Sequence, residues 1–133
     1  MMVSLPTSVR IWLATRPTDL RKSFDSLAEV VRQHLQGDPL SGQLFVFRNK
    51  RGDRVKLLYW DEDGFVILYK RLEAGTFCFP ADNGQAGNGH GDNGQAGNGQ
   101  GLEIRAGDLQ LLLDGVDLAS VKRQRRYRRP LPA

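Results

Sequence analysis

The chain has 133 residues, of which 40% are hydrophobic and 26% charged, enough for one domain with a modest core and too little for two. Its formal net charge is +4, yet residues 122–129, KRQRRYRR, carry six basic and no acidic side chains. The remainder has 13 basic against 15 acidic side chains, a net charge of −2. A nearly neutral body with a basic tail is typical of a protein that binds an acidic polymer, and nucleic acid is the obvious polymer.

Export and membrane attachment are not favoured by the sequence. Pro6 and Arg10 interrupt the N-terminal apolar residues, so no stretch reaches the length of a signal-peptide core or a membrane span. The basic tail has no neighbouring apolar helix that would supply a second anchor. The single cysteine, Cys78, has no partner for an intramolecular disulfide. We therefore expect a cytoplasmic protein with no membrane partner.

The first predicted elements are a strand and an amphipathic helix. Residues Val9 to Ala14 form a short apolar run, and Thr18 is a candidate N-cap for the helix that follows. We expect this helix to end at Gly37. Its apolar stripe is spaced by threes and fours and consists of Leu20, Phe24, Leu27, Val31 and Leu35.

Three further apolar runs, QLFVFR, RVKLLYW and FVILYKR, are separated by the turn-forming stretches NKRGD and DEDG. This arrangement predicts an antiparallel meander, which the other apolar segments bring to about four to five strands. The register places Trp60 opposite Phe65 and, across the first loop, Arg48 opposite Arg54. The helix would then cover an apolar face made of Phe45, Phe47, Val55, Leu57, Val66 and Leu68. The opposite, open face would be basic and aromatic and consist of Arg48, Arg54, Lys56, Trp60, Tyr69 and Arg71.

The acidic stretch Asp61-Glu62-Asp63 falls where this register requires a reversal, and Asp and Gly favour turns. We interpret DEDG as a turn. The alternative is that Asp53, Asp61 and Asp63 are the carboxylates of a small metal-dependent nuclease, but consecutive residues in a loop point in different directions rather than toward one ion.

Residues 82–101 are a tandem decapeptide, DNGQAGNGHG followed by DNGQAGNGQG, without a large apolar residue. Such a segment cannot bury enough surface to offset its ordering entropy. We predict a flexible insertion within a single α+β domain that spans residues 1–121. The Leu-rich segment AGDLQLLLDGVD predicts a short C-terminal helix ending near Gly115, and residues 122–133 form the basic tail.

The segments RIWLATRPTDLRKSFDSLAEVV, DPLSGQLFVFRNKRGDRVKLLYWDEDGFVILYKRLEAGTF and AGDLQLLLDGVD, with the basic ending, resemble the TnpB accessory proteins of insertion-sequence-66 elements. The resemblance covers roughly residues 8–80 and 102–129. Ser23 and Ser26 stand where glycines are common in this family. An unrelated RNA-guided nuclease shares the name TnpB, but it is far longer and has zinc-ligand cysteines.

The resemblance implies a role in DNA transposition beside a separate transposase that carries the catalytic acids, and it supplies no catalytic residue. We therefore predict a non-enzymatic protein without cofactor, metal or small-molecule substrate, whose partners are transposon-end DNA, the cognate transposase, or both. The predicted nucleic-acid-binding residues are Arg48, Arg54, Lys56, Trp60, Tyr69, Arg71, Lys122, Arg123, Arg125, Arg126, Arg128 and Arg129.

Overall fold

A computed structural model of the protein describes residues 8–79 and 101–115. The elements in these ranges are β1 (Ile11–Ala14), α1 (Phe24–His34), β2 (Leu44–Arg48), β3 (Arg54–Asp61), β4 (Gly64–Arg71), β5 (Gly101–Ile104) and α2 (Ala106–Leu113). The predicted α+β fold with a meander and a short C-terminal helix is confirmed. The predicted flexible insertion and the basic tail lie outside the described residues, except that the last residue of the repeat, Gly101, begins β5.

The five strands form one sheet in the order β4-β3-β2-β1-β5. Strands β2, β3 and β4 are the predicted antiparallel meander. β1 adds to β2 in parallel, and β5 pairs antiparallel with β1 at the far edge. The sheet is therefore mixed, because it contains one parallel pair and three antiparallel pairs. The parallel β1–β2 pair requires a crossover connection, and this connection contains α1.

The α1 helix begins later than its apolar stripe predicts. The Asp19 carboxylate accepts a hydrogen bond from the backbone N–H of Arg21 at 3.0 Å. The Asp19 backbone carbonyl accepts a second one from the backbone N–H of Lys22 at 3.1 Å. This local turn competes with a helix, so α1 starts at Phe24 instead of after Thr18. Phe24 is consequently 44% exposed rather than part of the core.

The core lies on both faces of the sheet. On the first face, α1 packs Leu27, Ala28 and Val31 against the sheet residues Phe45, Phe47 and Leu58. On the second face, α2 packs Leu109, Leu112 and Leu113 against six sheet residues, namely Ile11, Leu13, Leu44, Val46, Val55 and Leu57. The prediction of one covered and one open face is therefore wrong, because α2 covers the Val55 and Leu57 face.

The structure confirms one of the two predicted strand registers and contradicts the other. Trp60 pairs with Phe65 as predicted. Across the first loop, however, Arg48 pairs with Val55 rather than Arg54. The shift arises in the loop, where the Asn49 side-chain oxygen accepts the backbone N–H groups of Gly52 and Arg54, each at 3.0 Å, and so holds one extra residue out of the ladder. A shift of one residue moves every side chain of β2 to the other face.

Candidate nucleic-acid interface

The β3–β4 pairing brings four predicted binding residues together. Arg54 lies opposite Arg71, and the next same-face pair along the strands is Lys56 opposite Tyr69. Directly opposed residues share a face and have Cβ atoms about 5 Å apart. The four side chains therefore form a basic and aromatic cluster on the α1 side of the sheet, at the end of the hairpin away from its turn. We call this group the Arg54 cluster.

Tyr69 is the exposed centre of the Arg54 cluster, with 49% of its surface accessible. Arg54 Nη1 donates a hydrogen bond to the Tyr69 hydroxyl at 3.2 Å, and this bond is the main cause that raises the pKa of Arg54. The Lys56 ammonium lies 4.8 Å from the centroid of the Tyr69 ring. An aromatic ring held by two cations is a suitable platform for an unpaired base.

Lys56 is not the surface residue that the sequence predicts. It is only 9% exposed, and its Nζ donates a hydrogen bond to the carbonyl oxygen of Lys22 at 2.8 Å. A buried ammonium that is already hydrogen-bonded is poorly placed to contact phosphate. Lys56 therefore positions the Tyr69 ring and fastens β3 to the segment before α1.

Arg71 is exposed and forms an ion pair with Glu73, with Nη2 and Oε2 2.9 Å apart. Asp53 lies beside Arg54 and accepts a hydrogen bond from the Asn49 side-chain amide at 2.7 Å. That bond, helped by the nearby charge of Arg51, lowers the pKa of Asp53. Glu73 and Asp53 thus offset part of the positive charge of the cluster, which leaves a moderately rather than strongly basic surface.

Arg48 and Trp60 are not brought to this cluster. Arg48 lies on the α2 side, where its Nη2 donates to the Thr15 carbonyl at 2.9 Å and its guanidinium lies 5.1 Å from the Phe79 ring. Its predicted place among the other basic residues is wrong for the register reason given above. Trp60 shares the face but lies six residues from Arg54, about 20 Å along the strand, and packs edge-on against Phe65. The predicted tail residues lie outside the described part of the chain.

The acidic stretch is a turn, as predicted. Asp61 pairs with Gly64, and Glu62 between them has a φ of 53°. Asp53 precedes β3 and Asp61 ends it, so about 26 Å separates them along the strand. Two-metal sites hold their ions about 4 Å apart, and the three candidate carboxylates do not converge on such a site. In the ranges 8–79 and 101–115, no group of three or more His, Cys, Asp or Glu residues is placed to hold a metal ion.

The sequence did not indicate a groove between the end of β1 and α1. It has a volume of about 360 Å³, and its polar lining includes Arg16, Lys22 and His34. Asp19 also lines it and pairs with Arg21, with Nη2 and Oδ2 2.9 Å apart; hydrogen bonding to Arg21 lowers the pKa of Asp19 to about 2. The groove adjoins the Arg54 cluster through the Lys22 carbonyl that Lys56 contacts. No spacing rule connects these residues, since Arg16, Asp19 and Lys22 lie in the irregular connection between β1 and α1 and His34 lies at the end of α1.

The described residues form a small α+β domain whose mixed sheet carries an exposed tyrosine beside two arginines. The comparisons with known proteins define the family. The model of the IS66 Orf2-like proteins (TnpB of IS66 elements) matches residues 9–123, and the chain belongs to this family. The family is one of accessory proteins of insertion-sequence transposition.

Two curated relatives come from Sinorhizobium fredii (strain NBRC 101917 / NGR234). The uncharacterized protein y4jC is 42% identical over 79 residues, which cover 59% of this chain and 68% of the relative. The uncharacterized protein y4hO is 43% identical over 79 residues, which cover 59% of this chain and 69% of the relative. No solved structure matches the chain. Neither α1 nor α2, the helices of the described ranges, has the length and apolar character needed to cross a bilayer.

Proposed function

We propose that the protein assists transposition by binding DNA at the ends of its element, without catalysing strand cleavage. The described part of the binding surface is the Arg54 cluster, and the basic tail supplies the rest of the charge. The observation that carries this proposal is the direct pairing of Arg54 with Arg71 beside a half-exposed tyrosine. Like charges directly opposite each other destabilise a sheet, so a bound phosphate between them would relieve the part of the repulsion that Glu73 and Asp53 do not offset.

Arg54, Arg71 and Tyr69, the members of the cluster that solvent reaches, each have a distinct role in this proposal. Arg54 and Arg71 contact phosphates, which fixes the position of the DNA without reading its sequence. Tyr69 stacks on an unpaired base, and Arg54 holds its hydroxyl. Arg16 and Lys22, at the adjoining groove, extend the basic surface that contacts the DNA backbone.

The cognate transposase is the second candidate partner, and one observation favours it. Phe24, at the start of α1, is 44% exposed and follows closely on Lys22, whose carbonyl accepts the Lys56 hydrogen bond. Two large exposed aromatic side chains, Phe24 and Tyr69, therefore lie on neighbouring elements. Aromatic residues exposed near one another are enriched where proteins dock.

The experiment that tests DNA binding is fluorescence anisotropy with labelled element-end DNA, both as duplex and as single strand. Stacking is worth about 1–3 kcal/mol per base, so Tyr69→Ala should weaken single-strand binding by roughly 5- to 150-fold. Tyr69→Phe is the matched control, since it keeps the ring and removes only the hydroxyl, and it should retain most of the affinity. Equal single-strand affinity for Tyr69→Ala and the unaltered protein would contradict the proposed platform.

The transposase alternative requires a separate measurement. In a pull-down with purified transposase, Phe24→Ala should reduce retention if the exposed aromatics form a docking surface. If Phe24→Ala and Tyr69→Ala both abolish retention while DNA affinity is unchanged, the transposase rather than DNA is the partner of this face.

A further inference from the structure

The outer edge of β4 is the one long strand edge that the described residues leave unpaired. β4 spans eight residues, Gly64–Arg71, and lies at one end of the sheet order. Its central sequence, Phe65 to Tyr69, is continuously apolar and contains no proline. Natural proteins protect such edges with charges, prolines, bulges or a covering element, because an open edge pairs with other strands. Within residues 65–69, no protective residue is present.

The hydrogen-bond alternation shows which backbone groups point outward. The Leu72 N–H donates to the Asp53 carbonyl at 2.8 Å, so the even-numbered residues of this strand direct their backbone groups toward β3. The odd-numbered residues must then direct their N–H and C=O groups away from the sheet. These outward-facing residues are Phe65, Ile67, Tyr69 and Arg71.

Charge is distributed along this edge in a self-complementary way. The acidic turn Asp61-Glu62-Asp63 precedes β4, and all three of its residues are exposed. The strand ends with Lys70, whose ammonium donates to the Leu113 carbonyl on the α2 side at 2.8 Å, and with exposed Arg71, which pairs with Glu73 within the chain. When two copies of one strand pair antiparallel about a two-fold axis, the start of each strand lies beside the end of the other. Each acidic turn would then meet the basic end of the other copy.

We propose that β4 is a homodimer interface, in which two copies of the chain join their β4 edges antiparallel into one ten-stranded sheet. The register that fits best places Ile67 opposite Ile67 of the second copy. Residues that sum to 134 are then opposed, so Tyr69 meets Phe65, Leu68 meets Val66 and Arg71 meets Asp63. Aromatic, aliphatic and opposite-charge pairs are the cross-strand combinations that stabilise sheets.

This arrangement rests on the free edge of β4 rather than on DNA binding, although Arg71 belongs to both proposals, and it has a consequence for the DNA-binding surface. A two-fold axis perpendicular to the sheet keeps both α1 helices on the same side, and with them both Arg54 clusters. From the strand rise and spacing, the two Tyr69 Cα positions lie about 14 Å apart. The dimer would thus present two tyrosine platforms on one surface.

Charge reversal tests the register, because either single substitution should break the Arg71–Asp63 pair and the two substitutions together should restore it. Arg71→Glu places a glutamate opposite Asp63, and Asp63→Lys places a lysine opposite Arg71. In sedimentation velocity over a concentration series, we expect each single variant to weaken dimerisation at least tenfold and the double variant to restore it. The matched control is the Arg10 and Glu103 ion pair near the other edge of the sheet, 2.9 Å apart, where the exchange Arg10→Glu with Glu103→Arg should leave dimerisation unchanged.

Amide hydrogen exchange of the full-length ¹⁵N-labelled protein tests the edge directly. We expect the amide of Ile67 to be protected increasingly as protein concentration rises, whereas Leu68, whose N–H faces β3, is protected at every concentration. A monomer at all concentrations would overturn the proposal. So would a dimer that none of the charge reversals affects, or protection of Ile67 that does not depend on concentration, which would mean that another segment of the same chain covers the edge.

Discussion

The ammonium of Lys56 donates a hydrogen bond to the backbone carbonyl of Lys22 at 2.8 Å, which connects the middle of β3 to the turn that precedes α1. The side chain crosses beneath the Tyr69 ring on the way. One lysine therefore joins three parts of the fold: the central meander, the turn that precedes α1 and the exposed aromatic platform. This contact explains why a residue expected to bind nucleic acid is instead 9% exposed.

Replacing Lys56 with methionine should destabilise the protein while leaving its apolar packing almost intact. Methionine keeps the unbranched stem but cannot donate to the Lys22 carbonyl, and losing a charged hydrogen bond costs about 2 kcal/mol. Urea unfolding followed by circular dichroism measures the change. Lys50→Met, at an exposed loop position, is the control and should change stability by less than about 0.5 kcal/mol. Equal stability of the two variants would show that the buried amine contributes nothing to folding.

Gly52 should not tolerate a side chain. Its φ is 79°, and the residue is buried in the loop, where its carbonyl accepts the Phe77 N–H at 2.8 Å. A left-handed conformation costs a non-glycine residue about 1–2 kcal/mol, so Gly52→Ala should lower the free energy of unfolding by that amount. Gly107→Ala is the matched control. Gly107 is helical and has open space around it, and the substitution should raise stability by about 0.5–1 kcal/mol. A neutral Gly52→Ala would contradict this account of the loop.

The loop also explains which parts of the fold could be predicted from the sequence. The register of β3 with β4 follows from a short connection, Glu62-Asp63, that leaves little freedom. The register of β2 with β3 depends on how the Asn49 side chain bonds Gly52 and Arg54. That bonding forms only in the folded loop and cannot be read from the sequence. The predicted register therefore places the side chains of β2 on the wrong face of the sheet. The run Leu44 to Phe47 is apolar at every position, which is typical of a strand covered on both faces and could have indicated a second covering helix.

The candidate site was predictable only in part for the same reason. Arg54, Tyr69 and Arg71 were placed together correctly because the β3–β4 register was correct. Arg48 was misplaced because the other register was wrong. The burial of Lys56 could not be read from its sequence position, since it depends on the path of the chain before α1. The groove residues Arg16 and Lys22 come from that same path.

The acid dependence of stability should include a contribution from Asp19. Hydrogen bonding to Arg21 lowers its pKa from 3.8 to about 2. Because the folded pKa is below the unfolded value, the stabilisation is fully present above pH 4 and is lost as the pH falls toward 2. An NMR titration of the Asp19 carboxyl carbon should give a midpoint near 2, and Arg21→Ala should return it toward 3.8. A midpoint that Arg21→Ala does not move would contradict the assigned cause.

Removing one copy of the decapeptide, residues 82–91, should not destabilise the protein. The sequence of the repeat offers nothing to offset ordering entropy, and the deletion shortens the 80–100 connection by about half. Halving the length of a connection lowers its closure cost by about 0.6 kcal/mol. Thermal unfolding should therefore show an unchanged or slightly raised Tm. A drop of several degrees would mean that the repeat packs against the domain.

The central claim is that Arg54 and the basic tail contact DNA phosphates, and the salt dependence of duplex binding tests it most directly. Each lost phosphate contact makes the slope of log affinity against log salt shallower by about 0.9. We expect a change of about 0.9 for Arg54→Ala and of up to about 3.6 when Arg125, Arg126, Arg128 and Arg129 are all replaced by alanine. Arg10→Ala removes the same charge as Arg54→Ala but lies beside Glu103, and it should leave the slope unchanged. Identical slopes for the unaltered protein, Arg54→Ala and the tail variant would contradict DNA binding through these residues.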